Sequence, residues 1–197
     1  MGWGANGWDF NSGPVAFSAW SLAQLGWLGE NNERLVDITD DTEDLLVEDL
    51  HAGGNIYRIM LGLPPNRIGQ YHQDYLLLEQ RTRAGSYYNR NLPAPGLLIW
   101  HIRPQALNYR YSEHKDRDDH YKPVDLVCAD GLYQDAGYAL GQVANGEHGR
   151  DNLDFWAHDS GYSAAHAGNL GDATDPFDGI EYTRFDLGIN PSSNPQG

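Results

Sequence analysis

The sequence predicts an α+β, mainly β fold: one N-terminal helix followed by a largely antiparallel sheet and long ordered loops. Three observations predict it. Only residues near the start show apolar spacing of helical period. From residue 33 onward, short β-type apolar runs alternate with Asp- and Gly-rich turns. Residues 131–180 are rich in Gly, Asp, Asn and His and lack either period.

The helix is expected from Ser12-Gly13-Pro14, which offers a cap and a first-turn proline, to about Leu25. Ala16, Trp20, Ala23 and Trp27 recur at helical spacing, which predicts a buried face, and Gly26 is a natural C-cap. Strands are expected over Arg34–Thr39, Leu45–Leu50, Asn55–Leu61, Asp74–Thr82, Gly96–Ile102 and Val124–Ala129. The run Gly96–Ile102 is nearly all apolar, which places it inside a sheet. The 197 residues suffice for a single domain or part of one, and residues 188–197, rich in Pro, Ser and Asn, read as a tail or linker.

Composition narrows the function. Hydrophobic residues make up 40 % of the chain, enough for a packed core despite a mean hydropathy of −0.60. A net charge of −15 disfavours nucleic acid, which needs a basic surface. No apolar stretch approaches the length of a membrane span, and the start of the chain lacks the basic and apolar regions of a signal peptide. Cys128 is the single cysteine, so neither a disulfide within the chain nor a Cys-based zinc site is available.

Catalytic motifs are missing. No two of His51, His72, His101, His114, His120, His148, His158 and His166 have the spacing of His-Glu-x-x-His or its inverse. His114 and His120 lie six apart in a charge-dense run, which reads as a solvated loop. Gly-x-Ser-x-Gly is absent, and Gly2-Trp-Gly-Ala-Asn-Gly7 lacks the strand and helix that would make it a phosphate cradle. No catalytic residue is therefore assigned.

One cluster could take a cation. Asn169, Asp172, Asp175 and Asp178 recur every three residues among small, turn-forming neighbours. Hard oxygen donors on a loop suit calcium. The same residues equally suit turns in which Asp side chains accept from nearby backbone N–H groups. On the strand Asp74–Thr82, Glu79 and Arg81 share a face, so Glu79 could pair with the arginine or orient another partner. Trp100 and His101 point to opposite faces of theirs, and His101 reads as a core histidine.

Four strings, in order, resemble the immune inhibitor A family of secreted bacterial zinc metallopeptidases. Met1-Gly-Trp-Gly with Pro14-Val-Ala-Phe-Ser-Ala-Trp20 and Leu25-Gly-Trp27 is similar to the stretch after that family's zinc helix. Asp74-Tyr-Leu-Leu-Leu-Glu-Gln-Arg81 and Leu92-Pro-Ala-Pro-Gly-Leu-Leu-Ile-Trp-His101 resemble two of its strands. Ala129-Asp-Gly131 and Gly171-Asp-Ala-Thr-Asp-Pro-Phe177 resemble two of its loops. Two positions depart from the pattern: Gln80 replaces an Asn, and Arg103 stands where an Asp is usual.

The resemblance implies a C-terminal half of a peptidase catalytic domain, with the His-Glu-x-x-His helix expected before Met1. It implies a secreted protein, zinc held by ligands outside this chain, protein or peptide substrates, the preceding half of the domain as partner, and no activity alone. The alternative is a non-enzymatic extracellular β-rich domain that binds calcium or another ligand, with Trp3, Trp8, Trp156 and Tyr162 as loop aromatics able to stack on it.

Overall fold

A computed structural model describes residues 14–62, 73–92, 94–104, 124–127, 129 and 176–185. The fold is α+β and mainly β. Helix α1 spans Ala19–Leu25, and strands β1 (Leu35–Ile38), β2 (Ile56–Met60), β3 (Tyr75–Arg81), β4 (Gly96–Ile102) and β5 (Val124–Leu126) form one sheet in the order β1-β2-β3-β4-β5. The β2–β3, β3–β4 and β4–β5 pairings are antiparallel, and β1 joins β2 in parallel. Strand β4 has the bounds the sequence predicts and pairs on both sides.

Helix α1 is shorter than its sequence suggests. Ser18, not the Ser12-Gly13-Pro14 segment, caps it, with its side chain accepting from the Ser21 N–H. Gly26 ends it in the left-handed region at φ 70, and its N–H reaches the last turn's carbonyls. The expected buried stripe is also corrected. Of the expected stripe, Ala16 is buried just ahead of the helix, Trp20 and Ala23 are partly buried, and Trp27, beyond the cap, is 60 % exposed; within the helix the buried residues are Ala19 and Ser21. Once the chain turns at Gly26, helical spacing no longer places residue 27 on the helix face.

The expected strand Leu45–Leu50 is also absent. Residues 45–48 are irregular, Asp49 makes one isolated bridge to Gln80, and Leu50–Ala52 form a turn of 3₁₀ helix. Asp49 explains this. Its Oδ1 accepts from the His51 and Ala52 N–H groups at 2.8 and 3.1 Å, starting the turn. Its Oδ2 accepts from the Thr82 N–H and, at 2.8 Å, from the Thr82 hydroxyl. One carboxylate thus ties the loop to the end of β3.

The sheet separates two apolar layers. On the α1 side, Leu77 of β3 and Leu98, Trp100 and Ile102 of β4 pack with Ala19, Leu28, Leu50, Ile56, Leu92 and Leu126. On the other side, Leu76 and Ile99 pack with Val127, Ala129 and Phe177. The period-two alternation of β3 and β4 produces both layers. Phe177 closes the second layer through a two-way backbone bridge to Leu97, at 2.9 and 3.0 Å. The long loops expected over residues 131–180 lie almost wholly outside the described residues, as do residues 188–197 and Cys128. Among the described residues, no helix is long and apolar enough to cross a membrane.

Gly54 precedes β2 where the chain crosses residues 48 and 49, and a Cβ there would meet the Glu48 backbone carbonyl. Backbone cannot rotate aside as a side chain can. Gly54→Ala should therefore lower stability by about 1–3 kcal/mol, read as a reduced urea midpoint with an unchanged m-value.

Candidate functional site

The strongest polar feature lies under α1. Glu79 and Arg81 project from β3 toward the helix and are both 0 % exposed. The Arg81 guanidinium donates to the Glu79 carboxylate at 3.0–3.3 Å, to the Phe17 carbonyl and to the Asn89 side-chain oxygen at 3.5 Å. Glu79 Oε1 also accepts from the Trp100 indole N–H at 2.6 Å and from the Ala19 N–H at 3.2 Å. A buried carboxylate needs this many donors to offset the loss of water.

The node joins four separate pieces of chain: the entry to α1 at Phe17 and Ala19, strand β3, the 3₁₀ turn Tyr87–Asn89 and strand β4. Chemically it is closed. Both charges are spent on protein partners, and neither group reaches solvent to act as acid, base or nucleophile. Its action is to position: it fixes the first turn of α1 on the sheet.

The opposite face holds a different pair. His101 is 8 % exposed, and its Nε2 lies 3.5 Å from Asp74 Oδ2 without the alignment of a hydrogen bond. Burial lowers the imidazole pKa to about 4, helped by the Arg103 charge and opposed by Asp74. His51 is likewise lowered to about 4, chiefly by burial, with Arg81 and Arg34 adding to the effect and Asp49 opposing it. Both are therefore neutral near pH 7.

Of the proposed cation ligands, Asn169, Asp172 and Asp175 lie outside the described residues. Asp178 is described, and its Oδ1 accepts from the backbone N–H groups of Ile180, Glu181 and Tyr182 at 2.8, 2.9 and 3.0 Å. Those bonds hold its carboxyl below the usual carboxylate range. At this residue the side chain holds a turn. Among the described residues, no group of three or more His, Cys, Asp or Glu side chains is placed to hold a metal.

The surface beside the node is apolar. Phe17, Leu25 and Trp27 are 44 %, 47 % and 60 % exposed, and the Phe17 and Trp27 rings meet edge-on with centroids 5.8 Å apart. No family model, curated protein or solved structure matches the chain. Sequence reasoning found Glu79 and Arg81 but missed Asn89, Asp49 and the Asp74–His101 pairing. Only the Asp-His-Ala spacing at residues 49, 51 and 52 carried a local signal, that of a capping Asp.

Two predictions follow from the buried groups. Glu79→Gln leaves the Arg81 charge uncompensated in the core and should cost about 3–5 kcal/mol. Trp100→Phe removes one donor from Glu79 and should cost about 1–3 kcal/mol. Urea unfolding checks both, and the double variant should cost less than their sum, because the two changes act on one network.

The histidines give a pH dependence. Each binds a proton more weakly folded than unfolded, where its pKa is 6.5, so protonation favours the unfolded chain. Their contribution to stability is full above about pH 6.5 and is lost as pH falls toward about 4. Asp37 and Asp178, held below 3.8, act in a separate and lower window. Tm should fall between pH 6.5 and 4, and His51→Gln with His101→Gln should flatten that slope. An equal slope in the double variant would refute the assignment.

Proposed function

We propose that these residues form the part of a secreted zinc endopeptidase's catalytic domain that follows the zinc-binding helix. In that role they supply a wall beside the cleft and a seat for the preceding half. The zinc and its Glu, in that preceding half, would activate water against a peptide carbonyl. This chain contributes no catalytic group, so alone it should not cleave peptides.

One observation carries the reading. Three of the strings that resemble the immune inhibitor A family are far apart in sequence, yet they meet at the buried node. Phe17 and Ala19 come from the first string, Glu79 and Arg81 from the second, and Trp100 from the third. A shared node gives a physical reason for the strings to occur together. The exposed Phe17, Leu25 and Trp27 supply apolar area beside it, of the kind a neighbouring half of a domain would cover.

The test is to read the DNA upstream of the Met1 codon, then express the longer frame. The expected result is an in-frame His-Glu-x-x-His and chelator-sensitive casein hydrolysis by the longer polypeptide, with none by residues 1–197 alone. A stop codon directly upstream, or hydrolysis by residues 1–197 themselves, would overturn the proposal.

A further inference from the structure

Strand β1 is the last strand on its side of the sheet among the described residues. Its pairing with β2 is parallel, and the Ile56 N–H donates to the Arg34 carbonyl at 2.9 Å. That bond sets the phase of the ladder. In a parallel pair, alternate residues turn both backbone groups to the neighbour. Arg34, Val36 and Ile38 therefore bond β2, while the N–H and C=O groups of Leu35 and Asp37 point outward. No proline, lysine or bulge interrupts Leu35-Val-Asp-Ile38, although such features commonly guard an edge.

The surroundings of this edge are acidic. Glu30 and Glu33 precede β1, and Asp40, Asp41, Glu43 and Asp44 follow it, all exposed. The nearby cations are already engaged. Arg34 donates to the Leu50 and Gly54 carbonyls, and Arg58 grips the Asp37 carboxylate in a two-point pair. Leu46, 73 % exposed, follows the acidic run, and the Tyr57 hydroxyl holds its carbonyl at 3.3 Å.

We infer that the outer edge of β1 is a docking site for an extended, basic segment of another polypeptide, which adds to the sheet as a sixth strand. Backbone bonds to Leu35 and Asp37 would give the register. Lys or Arg side chains would meet the flanking carboxylates. A second copy of this chain is a poor occupant: its net charge of −15 sets carboxylates against carboxylates. The inference stands apart from the peptidase proposal and does not need a zinc site.

The test uses the full chain, labelled for NMR, and a capped peptide alternating Lys and Val. The expected result is binding that weakens with salt, new exchange protection at the Leu35 and Asp37 amides, and little change at Val36 and Ile38, already bonded to β2. N-methylating the peptide's alternate amides should abolish binding. Changing Asp40, Asp41, Glu43 and Asp44 to their amides should weaken it about tenfold.

Four results would overturn the inference: no binding at low salt, equal binding by the N-methylated peptide, equal binding by a Glu–Val peptide, or shifts confined to other surfaces. Protection of the same amides by self-association without peptide would overturn it too, since the occupant would then be a second copy. The peptide controls require no change to the protein, so an unfolded variant cannot mimic either outcome.

Discussion

The Glu79 carboxylate is the contact on which the arrangement of helix and sheet depends. A seven-residue helix has too few internal bonds to persist alone. It persists here because its first turn is bonded to the sheet: the Ala19 N–H to Glu79, and the Phe17 carbonyl to Arg81. The net energy of such a buried pair is small, because desolvating two charges offsets most of their attraction. What the pair supplies is geometry. An apolar contact would let α1 slide or rotate, whereas a carboxylate with fixed donors from β3, β4 and α1 permits one placement.

A second carboxylate does the same work just past the same end of β3, at Thr82. Asp49 uses one oxygen to start the 3₁₀ turn and the other to hold Thr82. The two sites bracket the end of one strand, and the apolar residues between and around them fill the layer under α1. Hydrophobic burial supplies most of the stabilisation, at about 1.5–3 kcal/mol for each fully buried Leu or Ile. The polar groups decide which of several compact packings that energy selects.

This division explains what could be read from the sequence. Strand β4 was legible because a seven-residue run that is apolar but for His101 leaves few alternatives to a buried strand. The Glu79–Arg81 pairing was legible because the two residues share one strand face. The Trp100 and Ala19 bonds to Glu79 span 21 and 60 residues, a separation at which a single sequence carries no local trace. The misread strand at residues 45–50 has the reverse cause. Leu45, Leu46 and Val47 have strand-like character, but the capping Asp49 and the crossing at Gly54 commit that segment to a turn, and Leu46 is left in solvent. The parallel β1–β2 join was likewise invisible, since nothing local distinguishes a crossover through a turn from a hairpin.

The node also bears on the surface above it. Phe17 belongs to both: its carbonyl is fixed by buried Arg81, while its ring stands exposed against Trp27. Gly26 sets the direction of the chain between Leu25 and Trp27, and the Asn32 side chain binds the Ala23 carbonyl at 2.9 Å and the Leu28 N–H at 3.3 Å, securing the segment from below. The exposed aromatic pair is thus held at both ends. A partner that covers it meets side chains whose backbone is already ordered, and so forgoes less conformational entropy on binding than it would on a loose loop. A surface of scattered apolar residues would call for no such bracing. A closed polar node beneath and a braced apolar pair above suit the proposed seat for another part of the same domain.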